Sequence, residues 1–470
     1  MFGLKTIICI FLVLLSGCMV GPNYVKPTTQ IPAAYKETGN WKKAQPQDSM
    51  VRGAWWKIFN DPRLDALEEQ VNISNQNIAQ AQAQYAQSYA LVQASRSSFF
   101  PTLGTTASYT RSHGSSGNSN GSSSNSKHTI SDNLLSANVN WEIDLWGKIR
   151  RTIESYRAAA QASKADLEGA RLSAQAQLAQ DYFQLGSLDA QQKLLDDTDV
   201  IYQKFLDLTK NRYANGVAAR SDIIQAKTQL EATEAQSIDI GVQRSQLENA
   251  IAVLIGKPAS VFSIPALTLT STVPIVPAGL PSEILERRPD IAAAERTVAS
   301  ANALIGVAES AYFPTLTLGA SGSFESSNLA NLFSSPNPLW SLGPVLAETI
   351  FDAGLRQAQT AQAKAVYDAD VASYRQTVLT AFQQVEDNLA ALRILEQEYK
   401  VQDQAVKDAQ KAVELETNQY KAGTVSALDV ITTQAIALTD EKAAVTILGE
   451  RLNACVLLIE YLGGSWSSAK

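Results

Sequence analysis

The stretches "SFFPTL" (Ser98–Leu103) and "AYFPTL" (Ala311–Leu316) are nearly the same phrase, placed 213 positions apart. An alanine-rich segment without proline precedes each phrase, and alternating apolar and polar residues follow it. Proline cannot continue a helix, and it biases the residue before it towards extended geometry. We therefore predict that Pro101 and Pro314 are junctions at which a helix ends and a strand begins.

Two further phrases recur in the same order along the chain. "NRYANGVAARSDI" (Asn211–Ile223) returns as "NQYKAGTVSALDV" (Asn418–Val430) 207 positions later, and "FDAG" stands where "DLWG" stood. Separate anchors that recur in order indicate a tandem duplication rather than a chance likeness. The predicted unit is a helix, a β-hairpin, a long helix, a turn and a second helix, present twice.

The two β-hairpins are predicted at about 101–146 and 314–351. In the first, apolar residues occupy every second position and polar residues lie between them, which is the pattern of a strand. The apolar positions are Leu135, Ala137, Val139, Trp141, Ile143 and Leu145. Such a face packs on a second sheet in a soluble sandwich and meets lipid in a membrane barrel. The alternation alone leaves both arrangements open.

Two proline-free segments, 148–213 and 355–420, predict unusually long helices. Each would extend about 100 Å if continuous, far beyond an ordinary globular helix. Each ends in a glycine-containing turn, after which a second helix runs to about 255 or 462. The turns Asn215–Asp222 and Ala422–Asp429 are therefore the predicted tips of two helical hairpins.

The N-terminus predicts export and lipidation. Lys5 precedes a short apolar run, Ile7–Leu15, which is too short to span a bilayer and is typical of a removable signal. The run ends in "LSGC", which resembles a bacterial lipobox, so Cys18 is expected to carry S-diacylglycerol and N-palmitoyl groups. Met19 follows, where Asp would favour inner-membrane retention, so outer-membrane anchoring is expected. The alternative is an ordinary signal peptide with a chance cysteine.

Composition excludes several classes of function. With Cys9 in the signal and Cys18 lipidated, Cys455 is left without a disulfide partner. Both histidines, His113 and His128, lie in a Ser/Gly/Asn-rich stretch, so neither a metal site nor another cofactor is expected. The net charge of −7, without basic blocks, argues against nucleic-acid binding. No nucleophile–base set or phosphate loop points to an enzyme.

The strand count predicts an oligomer. Each half supplies two strands, and a sheet of about four strands cannot close on itself and leaves exposed edges. After Cys18 there is no apolar run near 18 residues, so a crossing of the membrane would have to use a closed β-barrel. The smallest membrane barrels need about eight strands. Each subunit is therefore expected to contribute an arc.

Five phrases resemble the TolC-like outer-membrane factors, specifically their OprM/NodT-like lipoprotein branch. They are "CMVGPNYVKP" after the lipobox, "WWKIFNDPRLDAL" (Trp55–Leu67), "WEIDLWGKIR" (Trp141–Arg150), "ERRPDIAAAE" (Glu286–Glu295) and the paired tip turns. The resemblance covers essentially the whole mature chain. It implies a mainly α, internally duplicated protomer with four long helical segments and four strands. It also implies a homotrimer with a β-barrel of about 12 strands and an α-helical periplasmic tunnel.

The function implied by this resemblance is passive conduction across the outer membrane. Drugs or other small compounds would arrive from an inner-membrane resistance-nodulation-division pump through a periplasmic adaptor, and outer-membrane lipid would surround the barrel. Alternatives are an outer-membrane factor for type I secretion or metal-ion efflux, and a periplasmic adaptor-like lipoprotein. Adaptors share the long helical hairpins but lack the duplicated β-hairpins.

The resemblance also implies a periplasmic gate at the tips. Asp429 matches the first aspartate of the family's gating ring, beside Leu428, and the second falls on Thr432. Asp222 and Ser221 match a latch partner of Tyr420, whereas Val425 replaces an arginine that some relatives carry there. Helix capping is the alternative role for both aspartates. The expected adaptor-contact residues are Gly216, Val217, Arg220, Ser221, Gly423, Thr424 and Val425.

These patterns divide the chain into six segments. They are a signal peptide at 1–17, a lipidated arm at 18–61, a first repeat at 62–256, a linker or equatorial segment at 257–281, a second repeat at 282–462 and a tail at 463–470. Within them, Arg287-Arg288-Pro289-Asp290 is expected to start a helix, with an ion-pair site as the alternative. Trp55-Trp56 is expected to anchor the arm, with ligand stacking as the alternative.

Overall fold

The structure is a computed structural model of the chain, and it describes residues 19–29, 35–36, 53–115, 127–269, 272–276, 287–334 and 338–464. The predicted signal peptide at 1–17 and the predicted acylation site Cys18 lie outside the described residues. Parts of the predicted arm, linker and tail also lie outside them.

In the described ranges, each half contains a β-hairpin followed by a long helix and a second helix, and two helices precede the first hairpin where one precedes the second. The helices are α1 (Pro62–Ser74), α2 (Gln76–Arg96), α3 (Lys148–Ala214), α4 (Arg220–Leu254), α5 (Pro289–Ser310), α6 (Leu355–Ala422) and α7 (Ala427–Tyr461). The strands are β1 (Thr102–Ser115), β2 (Lys127–Ile143), β3 (Thr315–Ser326) and β4 (Pro338–Ala347). The mainly α, duplicated architecture with four strands agrees with the prediction.

Helix α1 begins where the sequence indicates. The Asp61 carboxylate accepts the N–H groups of Arg63 and Leu64 at 2.9 and 3.3 Å, and Pro62 occupies the first helical position. Asp61 also accepts the hydroxyl of Tyr182 at 2.7 Å. Pro289 likewise opens α5, which confirms the helix start expected there.

The single helix expected between Asp61 and Pro101 is instead two helices, and that expectation is wrong at Asn75. Asn75 has extended backbone geometry, with φ −66° and ψ 124°. Its side chain accepts the N–H groups of Asn77 and Ile78, which caps α2, and donates to the Leu254 carbonyl at 2.8 Å. The break thus combines a local helix cap with a contact to a residue 179 positions away.

The four strands form one antiparallel sheet in the order β1-β2-β3-β4. The two hairpins are joined by pairing between β2 and β3, in which Asn140 lies opposite Gly319. The described sheet therefore has β1 and β4 as its edges.

The mid-chain segment after α4 is held by a partly buried cluster of charged groups, of which Asp189 is buried. The Arg244 Nε donates to Asp189 Oδ1 at 2.6 Å, and its Nη2 donates to the Ile264 carbonyl at 2.8 Å. Asp189 accepts the Leu267 N–H, and Glu248 accepts the Ile264 N–H. Backbone groups of an irregular segment are thus satisfied by side chains of α3 and α4.

The described residues form two compact units. One draws on the ranges Met1–Pro27, Tyr85–Ser163 and Ala294–Tyr374 and includes the sheet. The other draws on Thr28–Gln84, Lys164–Ala293 and Arg375–Lys470 and includes both helical tips. Among the described residues, no helix combines the length and apolar character needed to cross a bilayer.

Candidate functional site at the helical tips and strand-to-helix junctions

The two tips have the same backbone geometry. Gly216 and Gly423 are both in the left-handed region, with φ 74° and 83°. The next N–H at each tip, of Val217 or Thr424, donates to a carbonyl five residues back at 2.9 or 3.1 Å. This pattern is the glycine-terminated Schellman end of a helix. The duplication is therefore preserved at the level of individual hydrogen bonds.

Asp222 and Asp429 cap the helices that leave the tips. Asp429 accepts the N–H and hydroxyl of Ser426 at 2.9 and 2.7 Å. Asp222 accepts the N–H of Ala219 at 3.1 Å and the hydroxyl of Ser221 at 3.2 Å. The Ser426 hydroxyl and N–H lower the pKa of Asp429, so this exposed carboxylate is ionised at neutral pH. The capping role weighed from the sequence is present at both positions.

Tyr420 is buried beneath the second tip and is 3% exposed. Its ring packs at 5.2 Å from that of Phe205, and its hydroxyl lies 3.4 Å from Thr209 Oγ1. Its counterpart in the first repeat, Tyr213, is 46% exposed. The two tips therefore have the same backbone geometry, but the equivalent tyrosine is buried in only one of them.

Within the protomer, the Tyr420 side chain does not pair with Asp222. The Asp222 carboxylate is bound at its own helix start, and the Tyr420 hydroxyl faces Thr209. Arg212 is the residue that holds Tyr420. Its guanidinium lies 4.5 Å from the ring centroid, and its Nη1 donates to the Tyr420 carbonyl at 2.8 Å.

Sequence reasoning missed Arg212 because its partner lies 208 residues away. One signal was available. Arg212 aligns with Gln419 in the duplicated phrase, so the two tips differ in charge where their backbones agree.

A hydrophobic cluster supports both tips from inside. It joins the ends of α3 and α6 to the starts of α4 and α7. Its buried members are Tyr202, Phe205, Leu206, Ala226, Leu230, Tyr420, Ala427, Val430 and Ile431. Val425 packs against this cluster from the turn.

The other predicted tip residues lie on the surface of the protomer. The exposed set is Gly216, Val217, Arg220, Ser221, Gly423, Thr424, Leu428, Asp429 and Thr432. The Thr432 hydroxyl donates to the Leu428 carbonyl at 2.8 Å. The surface is thus available to another molecule or another copy of the chain.

At the other predicted site, tryptophans fasten both proline junctions. The indole N–H of Trp141 donates to the Phe99 carbonyl at 2.9 Å, and that of Trp146 donates to the Pro314 carbonyl at 2.8 Å. Trp146 also stacks on Phe313, with ring centroids 4.8 Å apart. Both tryptophans come from the end of β2 and the turn after it, so one segment organises both junctions.

The return from strand to helix is also duplicated. Asp144 accepts the N–H and Nε of Arg150, both at 3.0 Å, before α3. Asp352 accepts the same two groups of Arg356, at 3.2 and 2.6 Å, before α6. The Arg356 side chain lowers the pKa of Asp352. The recurring Asp–Gly–Arg order in "DLWGKIR" and "FDAGLR" was the signal for this pair of clamps.

The strand register gathers apolar side chains on one face of the sheet. Leu103 lies opposite Val139, Val139 opposite Ala320, and Ala320 opposite Leu342. Paired residues of adjacent strands point to the same side, so the face is continuous across all four strands. Many of its side chains are exposed in the protomer, and these include Leu103, Tyr109, Trp340, Leu342 and Leu346. An uncovered apolar face of this kind marks contact with lipid or another protein.

The chain matches the family model described as "Outer membrane efflux protein" over residues 67–257 and 280–464. It is 29% identical to the probable efflux pump outer membrane protein TtgC of Pseudomonas putida, over 96% of this chain and 94% of that protein. It is 31% identical to the pyoverdine export outer membrane protein OpmQ of Pseudomonas aeruginosa, over 88% of each chain.

A solved structure of the outer-membrane channel OprN is similar in fold. The TM-score is 0.87 at 28% sequence identity, and the match covers 96% of this chain and 100% of that one. The family match covers both repeats, and the structural match covers nearly the whole chain. The chain therefore belongs to the outer membrane efflux protein family.

Proposed function

We propose that three copies of this chain form a passive outer-membrane duct for small organic compounds. As a member of its family, the chain is the outer-membrane component of an efflux system and a transport protein rather than an enzyme. The compounds reach the duct from a resistance-nodulation-division pump through a periplasmic adaptor. The class of cargo is supported by relatives named for efflux pumps and for pyoverdine export.

The observation that carries this proposal is the continuous, uncovered apolar face of the sheet. In the described residues the sheet has open edges at β1 and β4. Edge strands with unpaired N–H and C=O groups pair with other strands unless they are covered. Three sheets joined β4 to β1 would close a barrel of about 12 strands with the apolar face towards lipid. The opposite face carries mainly Thr, Asn and Ser and would line a wet lumen.

The tips form the periplasmic entrance in this proposal. Asp429 lines the narrowest ring, with Leu428 and Thr432 beside it, and Tyr420 and Asp222 support the turns around it. The exposed tip residues then meet the adaptor. Support comes from their exposure and from the two turns, which have the same backbone geometry and so present two similarly shaped surfaces in each copy.

Cysteine cross-linking across the sheet edges tests the assembly. In membranes, Thr106→Cys on β1 combined with Leu339→Cys, Ser341→Cys or Gly343→Cys on β4 should yield oxidised dimers and trimers for at least one pair. The control is Ser136→Cys with Ser323→Cys, which lie opposite each other within the chain and should link only intramolecularly. Monomers for every edge pair, with the protein absent from the outer-membrane fraction, would refute the proposal.

A transport assay tests the cargo. Cells that lack the chain should accumulate an organic dye that the pump exports, and the wild-type gene should restore efflux. If the chain assembles but efflux of the dye is not restored, the proposed channel architecture would stand and the proposed cargo would be wrong.

A further inference from the structure

The first described residues lie in a narrow groove between the turn before α3 and the helix α5. The Val20 N–H donates to the Trp146 carbonyl at 3.0 Å. Gly21 has φ +92° and approaches Gly306 so closely that a Cβ at Gly21 would overlap the Gly306 Cα. A Cβ at Gly147 would in turn press on the Met19 side chain. The segment thus packs so closely that there is no room for a side chain at Gly21, Gly147 or Gly306.

Arg151 forms the floor of this groove and is 1% exposed. Its Nε donates to the Val20 carbonyl at 3.1 Å, and its Nη2 donates to the Gly21 carbonyl at 3.0 Å and to Asn23 Oδ1 at 3.1 Å. A buried guanidinium without acceptors is strongly unfavourable. Because the arm supplies three of the acceptors, the arm and the groove are complementary.

Two further contacts extend the docked segment. Asn302 Nδ2 donates to the Pro22 carbonyl at 3.0 Å. The Tyr24 hydroxyl donates to Glu295 at 3.2 Å, and Lys26 forms an ion pair with the same carboxylate at 3.3 Å. The fastening therefore runs from Met19 to Lys26, and all of it lies within one compact unit.

We propose that this groove, lined by Gly147, Arg151, Asn302 and Gly306, is a docking site for residues Met19–Asn23 that fixes the start of the arm beside the strand-to-helix turn. Docking would also set the position of a lipid anchor, and this part of the proposal rests on the acylation predicted for Cys18, the residue before Met19. If the arm were released, the segment Met19–Lys26 could extend about 27 Å. That reach is close to the ~30 Å thickness of a bilayer's hydrocarbon core. Without docking, a lipid anchor would not fix the position of the arm.

Gly306→Ala tests the groove without weakening its helix. Alanine is a better helix former than glycine, but its Cβ would lie 2.8 Å from the Val20 carbonyl oxygen and 2.9 Å from Arg151 Nε. Deuterium uptake by the N-terminal peptide of the purified full-length protein should become at least tenfold faster. The control is Gly241→Ala, in the middle of α4, where a Cβ would meet no atom of the described chain within 4 Å. Deuterium uptake by the N-terminal peptide of this control should match that of the wild-type protein.

Arg151→Ala should release the arm from the other side of the groove, with Arg157→Ala, an exposed arginine of the same helix, as its control. Wild-type uptake in both Gly306→Ala and Arg151→Ala would overturn the docking proposal. The proposal would also be overturned if the N-terminal peptide lost its protection from deuterium exchange in a Cys18→Ala variant exported with an ordinary cleavable signal peptide. That result would mean that the lipid alone holds the arm. The mass of the N-terminal peptide tests acylation separately. An unmodified Cys18 with a protected arm would refute the lipid anchor and leave the groove intact.

Discussion

Glu68 is a buried acid without a partner. Its side chain is 0% exposed, and neither carboxyl oxygen has a hydrogen-bond partner in the described part of the chain. It lies on the buried face of α1 with Leu64 and Val71. Burial, and then the charge of Asp65, raise the pKa of Glu68 well above its ordinary value. The folded protein therefore holds this carboxyl neutral at pH values where an unfolded chain ionises it.

The buried Glu68 carboxyl makes the stability of the folded protein fall as pH rises. A raised folded-state pKa contributes stability below the unfolded pKa of about 4.3, and that stability is lost as pH rises towards the folded pKa. The loss is at most about 1.4 kcal/mol per pH unit in that window. Glu68→Gln removes the ionisation, so as pH rises above about 4.3 its thermal midpoint should fall less than that of wild type. The exposed neighbour, in Glu69→Gln, is the control and should keep the wild-type slope. Equal slopes for wild type and Glu68→Gln would contradict the assignment.

Arg212 should control how often the second tip opens. Arg212→Ala removes a cation–π contact worth about 0.5–2 kcal/mol and a hydrogen bond to the Tyr420 carbonyl. A loss of about 1.4 kcal/mol corresponds to a tenfold larger open population. Chymotrypsin should therefore cleave after the buried Tyr420 up to about tenfold faster. Lys210→Ala, two residues earlier on the same helix, should leave the cleavage rate unchanged. If Arg212→Ala also leaves the cleavage rate unchanged, Arg212 does not hold the turn.

At the scale of the element, the duplication allows helix capping and the proposed gating role to be tested separately. Asp222 and Asp429 accept the equivalent backbone N–H at the start of α4 and α7. Either change to Ala should therefore lower the stability of the protein by a similar amount. Only Asp429→Ala should raise single-channel conductance in planar bilayers and weaken block by multivalent cations. Equal conductance in the two variants would show that both aspartates are caps and nothing more.

Local signals in the sequence predicted most element boundaries. Pro101, Pro314 and Pro289 act through their own fixed φ and missing N–H, so their effect is readable in one residue. The glycine turns at Gly216 and Gly423 are equally local. The break at Asn75 has one local signal, since asparagine is a favoured helix-capping residue, but its contact with the Leu254 carbonyl is made only in the folded chain. The same reason hid Arg212, whose role depends on the distant Tyr420.

The candidate site was predicted unevenly for the same reason. The exposed tip residues follow from the position of the turns, and the sequence located both turns. Which of the two equivalent tyrosines is buried depends on packing, which the sequence does not show. Tyr213 and Tyr420 occupy equivalent positions in the repeats, yet only Tyr420 lies in the hydrophobic cluster.

At the scale of the whole molecule, the duplication makes the sheet continuous. Each repeat supplies one hairpin, and pairing of β2 with β3 brings both apolar faces to the same side. A protomer that stayed in water would expose this face without compensation. The same arrangement is stabilising if lipid covers the face and further copies cover the edges.

Two adjacent residues of β4 distinguish a lipid-facing sheet from a sheet in water. Trp340 lies on the apolar face, opposite Gly322, and is 82% exposed in the protomer, whereas Ser341 lies on the polar face, opposite Ser321. In water, arginine would be tolerated at either exposed position. In a barrel, Trp340→Arg places a charge on the lipid side, where the cost is about 2–4 kcal/mol at the midplane and smaller towards the interfaces, while Ser341→Arg stays in the water-filled lumen. Outer-membrane levels of heat-resistant oligomer should therefore fall in Trp340→Arg and persist in Ser341→Arg. Equal levels in the two variants would mean that the apolar face does not meet lipid.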